Sequence, residues 1–410
     1  MTLVTIGGAM RNILFLSLNI DEANNADLYR QLVNKMSSRD KVFVVTLQGD
    51  ASKGEEVVFR RNLVIIKVRS GKMYGVNFIK KGITSLRIPR NYINAIKSYL
   101  YNTKFDLVVC PTPTITFEKV IRYVKKRDNP KVYLILRDVF PQAAWDLGIM
   151  KSRLLYGYFR IIEKRLYSLP DKIGVMSPRQ IEYTVRHNKN VDREKLECLP
   201  NWVDLDELYS YEDGADADIY DIFNIKDKII AFYGGNMGLP QEIPFLLELI
   251  QRYKDRDDIV FIMVGKGTER EKIIKMKESM KLDNLIIKDY IEYSLYSKLL
   301  KKCDIGLVNL NRKFTVPNSP AKLTSYFAAG VPVLAAVDSN NDLIEILDKY
   351  KMGLGSVTGD LESYIKNFET LINNKNLREE MGENGKKYAK EYLDVNIAYK
   401  KIMNCLPPSR

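Results

Sequence analysis

Short runs of β-branched and aliphatic residues, each followed by an amphipathic stretch, recur along this chain in two separate series. In the first, residues 13–18, 42–46, 63–68, 107–110, 132–136 and 173–176 read as strands, while 27–36, 91–101, 117–126, 154–167 and 178–186 carry apolar residues at helical spacing. Strands that alternate with helices are joined by crossovers, so the sheet they form is parallel and buried under helices on both faces. A polar, acidic stretch at 209–221 interrupts the pattern, and the interdomain connection is expected there. The pattern then restarts, with strands expected at 229–233, 260–264, 285–287, 305–308 and 333–336 and helices at 243–253, 269–280, 295–301, 321–328 and 342–349. Residues 361–403 read as helices with a break near 382–385.

The expected fold class is therefore α/β, with two doubly wound, Rossmann-like domains. At 410 residues the chain exceeds one ordinary core, which agrees with two domains. We place the first at 11–203, the second at 204–385, and a final helix within 386–410 that crosses back to the first. Cys110, Cys198, Cys303 and Cys405 lie far apart, with no CxxC pair and no neighbouring histidine, so neither a zinc site nor a disulfide framework is expected. Residues 1–10 lack the basic stretch and apolar core of a signal peptide, and no stretch reaches the roughly 18 unbroken apolar residues of a membrane-spanning helix. A cytoplasmic protein, or one peripheral to a membrane, is the expectation.

The net charge of +13 is unevenly placed. Residues 57–105 contain no Asp or Glu but eleven cations, among them Arg69, Lys72, Lys80, Lys81, Arg87 and Arg90. Met73, Tyr74, Val76, Phe78, Ile79, Ile83 and Leu86 are interleaved with them, a pattern suited to the headgroups of an anionic membrane. A solvated basic face is the alternative. No nucleic-acid motif accompanies the charge.

In open parallel sheets ligands bind beyond the carboxyl ends of the strands, so the loops after each strand are where chemistry is expected. Tyr233-Gly234-Gly235-Asn236-Met237-Gly238 leaves a strand and precedes Pro240 and Gln241 at a helix start, where backbone N–H groups can approach a phosphate. Val264-Gly265-Lys266-Gly267 repeats the arrangement with a lysine able to neutralise a diphosphate, without forming a Walker loop. Asn318-Ser319-Pro320-Ala321-Lys322 opens another helix, with Pro320 in the first turn. Gly330-Val331-Pro332 is a structural turn into the next strand.

Together with Leu199-Pro200-Asn201-Trp202-Val203-Asp204 and the continuous run from Ser319 to Ala335, these loops resemble the family-4 glycosyltransferases. In the first domain, Leu136-Arg137-Asp138-Val139-Phe140-Pro141-Gln142 resembles a segment of the bacterial branch that builds capsule, O-antigen and exopolysaccharide units. The resemblance implies the GT-B fold, two Rossmann-like domains facing a cleft, with a sugar nucleotide, usually UDP-linked, on the second domain and an acceptor on the first. The diphosphate would lie on the backbone of Gly235, Asn236, Asn318, Ser319 and Pro320, near Gln241, with Lys266 and Lys322 as counter-charges, and the base near Tyr290 and Ile291. No metal and no cofactor are implied; the acceptor would be a polyprenyl-diphosphate-linked saccharide at the inner face of the cell membrane.

Two departures from the family pattern stand out. Its paired glutamates fall on Pro317 and Ser325, of which only Ser325 could hydrogen-bond a ribose, and its first-domain histidine falls near Arg137, the only histidine here being His187. Asp138 is then the candidate for acid–base or electrostatic work, with Arg137 beside it to bind an acceptor phosphate or hold the carboxylate ionised. The reading is a retaining, metal-independent hexosyl- or N-acetylhexosaminyl-transferase. A non-catalytic sugar-nucleotide-binding subunit, and an epimerase or hydrolase on the same fold, are the alternatives.

Overall fold

The computed structural model describes residues 10–20, 27–49, 53–69, 78–210, 219, 223, 225–289 and 291–407, with only the helical backbone along 78–86. The chain divides into two units. The first takes the described residues up to Gln142, then Met150–Leu199 and those from Val395 onward; the second takes Ala143–Ile149 and Pro200–Asp394. The changeover at Leu199 lies ahead of the acidic stretch, most of which falls outside the described residues.

The first unit is built on β1 (Asn12–Leu16), β2 (Lys41–Leu47), β3 (Glu56–Arg60), β4 (Leu63–Val68), β5 (Leu107–Pro111), β6 (Lys131–Leu136), β7 (Lys172–Val175) and β8 (Leu196–Cys198), in the order β3-β4-β2-β1-β5-β6-β7-β8. All neighbours pair in parallel except β3, which lies antiparallel on β4 at the edge. Sequence periodicity misses β3 and β8 because β3 is partly exposed with one paired side and β8 has only three residues. The chain order turns back between β1 and β5, which is the switch point of this sheet. Its helices include α1 (Leu28–Ser37), α2 (Phe78–Tyr99), α3 (Glu118–Asp128), α5 (Arg153–Tyr167) and α6 (Pro178–His187), while the short turn α4 (Gln142–Asp146) begins at the changeover and belongs mostly to the second unit. The helix expected at 91–101 is the second half of α2, which continues through Pro89. The last helix, Val395–Met403, packs on α1, with the Tyr399 hydroxyl donating to Asp40 (2.9 Å) and Lys401 to the Cys198 carbonyl (2.8 Å).

The second unit carries β9 (Ile229–Gly234), β10 (Ile259–Val264), β11 (Leu285–Lys288), β12 (Ile305–Asn309), β13 (Val333–Val337) and β14 (Gly353–Val357), all parallel, in the order β11-β10-β9-β12-β13-β14. Every residue of β10, β12 and β13 is buried, as a strand covered on both faces requires. The switch point falls between β9 and β12, so the loops after these two strands open side by side. Periodicity misses β14 because Gly353 and Gly355 dilute its apolar pattern.

The break expected near 382–385 is absent. Gly382 and Gly385 lie inside an unbroken helix, Lys375–Tyr388, that packs on the helix Lys322–Ala329. A Cβ on Gly382 would come within 2.2 Å of the Gly330 carbonyl oxygen, so glycine here serves close helix approach. Gly382→Ala is accordingly expected to lower the unfolding free energy by about 2–4 kcal/mol, read as a lower urea midpoint at unchanged slope. An unchanged midpoint would mean that the two helices have room to part.

Candidate functional site

At the switch point of the second unit the loop after β9 and the helix after β12 meet. Tyr326 locks them: its hydroxyl accepts the Gly234 N–H (2.9 Å) and donates to the Phe232 carbonyl (3.1 Å). Tyr233 closes the turn by donating to the Asn236 carbonyl (2.6 Å), which leaves Gly235 and Asn236 exposed at the tip. The Asn236 amide and the Gly238 N–H both donate to Gln241 Oε1 at 3.1 Å, so Gln241 holds the loop's shape.

The glycines of the second turn have a structural role. The Gly235 N–H donates to the Val264 carbonyl (2.9 Å) and the Met237 N–H to the Lys266 carbonyl (2.7 Å), nesting the two loops backbone to backbone. A Cβ would fall 1.9 Å from the Gly235 oxygen if placed on Gly265 and 2.2 Å from the Met237 oxygen if placed on Gly267. These glycines support the first loop; the Lys266 side chain is exposed.

Lys322 is the first residue of its helix, and its ammonium sits 3.2 Å above the centre of the Tyr233 ring. The nitrogen is buried and has no hydrogen-bond partner among the described residues. Burial pushes its pKa well below the ordinary lysine value. Gly235 lies against it, since a Cβ there would be 3.3 Å from Lys322 Cε. The nitrogen thus lies beside two exposed loop residues with the Tyr233 ring as its neighbour, a cation–π contact of about 1–2 kcal/mol that does not replace its lost solvation.

The approach to Lys322 is held by asparagines that sequence reasoning leaves unassigned. The Asn201 amide donates to the Ser319 carbonyl (2.8 Å) and that of Asn341 to the Asn318 carbonyl (2.6 Å). Asn341 belongs to a turn set by Asp338, which accepts the Asn340 N–H (3.0 Å) and whose pKa burial pushes up to about 6. Asn201 and Tyr326 lie in the motifs that carry the resemblance; Asn341 and Asp338 had no such signal, since they act through residues distant in sequence. Pro317 is buried, Ser325 hydrogen-bonds Tyr296, and Ile291 packs against the core; Tyr290 lies outside the described residues.

In the first unit, Arg137 and Asp138 follow β6 at the carboxyl edge. The Arg137 guanidinium is 6% exposed and donates to the Leu199 carbonyl, while the Arg137 N–H donates to Thr112 Oγ1 (2.9 Å) and the Arg137 carbonyl accepts from Gln180 (3.2 Å). Arg137 thus ties β5, β6, α6 and the end of β8 together, and burial brings its pKa down to about 10. That placement corrects the expectation of an acceptor-phosphate contact: the guanidinium is turned into the unit. Asp138 is exposed and takes no hydrogen bond among the described residues; the protein around it raises its pKa, and Arg137 opposes the rise. Tyr29, in the first turn of α1, feels both charges, with burial the larger cause of its raised pKa. His187 stacks on Tyr183 at the end of α6, exposed and away from this edge.

The described cations of the basic stretch lie at several places on the first unit. Arg60 and Arg61 are exposed at the β3–β4 turn, the amino edge of the sheet. Arg69 is exposed beyond the carboxyl end of β4, its carbonyl accepting from Asn91 (2.9 Å). Arg87 and Arg90 are exposed on α2, and Lys80 and Lys81 lie on its first turns. Lys67 pairs with Glu56 (3.2 Å), and Lys72 lies outside the described residues.

Two doubly wound units, each with its own parallel sheet, are the architecture of the GT-B fold. Residues 217–388, most of the second unit, match the family described as glycosyl transferases group 1. The chain is 24% identical over 254 residues to the putative colanic acid biosynthesis glycosyl transferase WcaI of Escherichia coli K12, which covers 60% of this chain and 61% of that protein. It is 25% identical over 224 residues to the probable glycosyltransferase WbjE of Pseudomonas aeruginosa, covering 54% and 55%. The chain thus spans less than two thirds of the length of these relatives. Among solved structures, sucrose-phosphate synthase from Thermosynechococcus elongatus superposes with a TM-score of 0.76 at 15% identity, covering 96% of this chain and 98% of that one. HepE from Anabaena, in complex with UDP-glucose, superposes with a TM-score of 0.70 at 12% identity over the same shares.

The lysine gives a stability prediction. A lysine whose folded pKa is depressed costs stability in full below that pKa, and the cost fades as pH rises from it toward the ordinary lysine pKa of the unfolded chain. Lys322→Met should therefore stabilise the ligand-free protein at pH 7, by about 1–3 kcal/mol or a few degrees in Tm. The gain should shrink toward pH 10 in paired thermal melts; a Tm that falls at both pH values would show that Lys322 has a structural partner.

Proposed function

We propose that the protein transfers a hexosyl or N-acetylhexosaminyl group from a UDP-sugar to a lipid-diphosphate-linked saccharide in the synthesis of a bacterial surface polysaccharide. The observation that carries this reading is the buried ammonium of Lys322 beside Gly235 at the switch point of the second unit. A donor diphosphate supplies the acceptor that this nitrogen lacks, and with the helix start at Lys322 it supplies counter-charge to the departing UDP in place of a divalent ion. The names of the polysaccharide relatives and the UDP-glucose bound to HepE support the donor and product classes.

On the first unit, Asp138 serves as the acid–base or electrostatic group toward the acceptor. The protein around it raises its pKa, and Arg137 opposes the rise by charge while fixing the edge. We read the reaction as retaining, with the leaving diphosphate taking the acceptor hydroxyl's proton, and place the enzyme at the inner face of the membrane.

The test is a panel of UDP-, GDP- and dTDP-sugars with membrane lipid extract, following sugar incorporated into lipid. One UDP-sugar should be incorporated, and Asp138→Ala should lower the rate by about a hundredfold or more while UDP binding persists. UDP binding with no incorporation from any donor would favour a non-catalytic subunit, and free sugar released at the turnover rate a hydrolase.

A further inference from the structure

Helix α5 is apolar on two sides. Inward, Leu166 and Tyr167 are buried and Leu155, Phe159 and Ile162 half-buried, with Phe159 edge-on to Phe140 at 5.1 Å. Outward, Leu154, Tyr158 and Ile161 stand at i, i+4 and i+7, 89%, 49% and 54% exposed. An isolated exposed leucine is ordinary; a helical stripe of three large apolar side chains on one face is a surface built to be covered.

The surrounding charges identify what covers it. Lys151 and Arg153 lie at its start and Lys164 and Arg165 at its end, all exposed. The one acid between residues 147 and 165, Glu163, is buried and held by Arg160. A second copy of the chain would bring these cations against themselves across a two-fold axis, which disfavours self-association. The start of α5 lies toward the carboxyl edge, because the helix returns from the end of β6 to the start of β7. Right-handed crossovers put α2, α3 and α5 on one face of the sheet, with α2 packed on α3 and α3 on α5, so Arg87 and Arg90 share that layer.

We propose that the outward stripe of α5 is a lipid-docking face that enters the headgroup region of an anionic bilayer leaflet. It rests on the reading of a lipid-carried acceptor and names the surface that meets the lipid. Leu154, Tyr158 and Ile161 enter the boundary between headgroups and acyl chains, while the four flanking cations and those of α2 hold the anionic headgroups.

The experiment is co-sedimentation of the full chain with vesicles of phosphatidylcholine alone, or mixed with phosphatidylglycerol, without donor or acceptor. Wild type should bind the mixed vesicles preferentially, and Leu154→Ser/Tyr158→Ser/Ile161→Ser should lower the partition coefficient by about tenfold or more. As a second readout that needs no loss of function, Leu154→Trp should give a blue-shifted emission on mixed vesicles. Equal partitioning of wild type and triple variant, or an unshifted Leu154→Trp, would overturn the proposal. So would a dimer by light scattering that the triple variant abolishes while vesicle binding is unchanged. Transfer to detergent-dispersed acceptor tests the catalytic reading separately, because it needs no bilayer.

Discussion

Two backbone turns in the second unit approach each other so closely that one of them, at Gly265 and Gly267, cannot carry a side chain at the contact. Gly265 and Gly267 present bare backbone to Gly235 and Met237, and the hydrogen bonds Gly235 to Val264 and Met237 to Lys266 fix the result. Everything at the switch point follows from that contact. Because the loop after β9 is held from behind, its tip at Gly235 and Asn236 stays open, and Lys322 can lie on the Tyr233 ring with no acceptor of its own. The arrangement spends stability on a charge held ready for a ligand, a conflict expected of a functional site.

The first unit resolves a similar problem differently. Arg137 is also buried, but its guanidinium has the Leu199 carbonyl, and its backbone is tied to Thr112 and Gln180. A cation with such partners is a clamp. Its effect on chemistry passes through Asp138, the neighbouring exposed carboxyl whose pKa it pulls down against the rise that the rest of the protein imposes.

Much of this was legible in the sequence, and what was not has definite causes. Strands such as β10 and β13, buried on both faces, announce themselves as unbroken apolar runs. The edge strand β3 and the glycine-bearing β14 do not; a Cβ on Gly353 would come within 2.1 Å of the Val333 oxygen, so packing placed glycine where periodicity wanted an apolar side chain. Lys322 and the Gly235 turn were readable from local motifs. The supporting roles of Gly267, Tyr326 and Asn341 were not, since each depends on a partner brought near only by the fold. The outward stripe of α5 hid for the opposite reason: a helix apolar on two sides reads from sequence simply as a buried one.

The central claim is that the second unit keeps Lys322 without an acceptor so that a donor diphosphate can become one. A crystal structure of the protein with UDP tests it most directly. The account predicts a diphosphate oxygen within hydrogen-bonding distance, about 3 Å, of Lys322 Nζ, lying over Gly235. A diphosphate bound instead at Lys266, with Lys322 still on Tyr233 and without a partner, would contradict it.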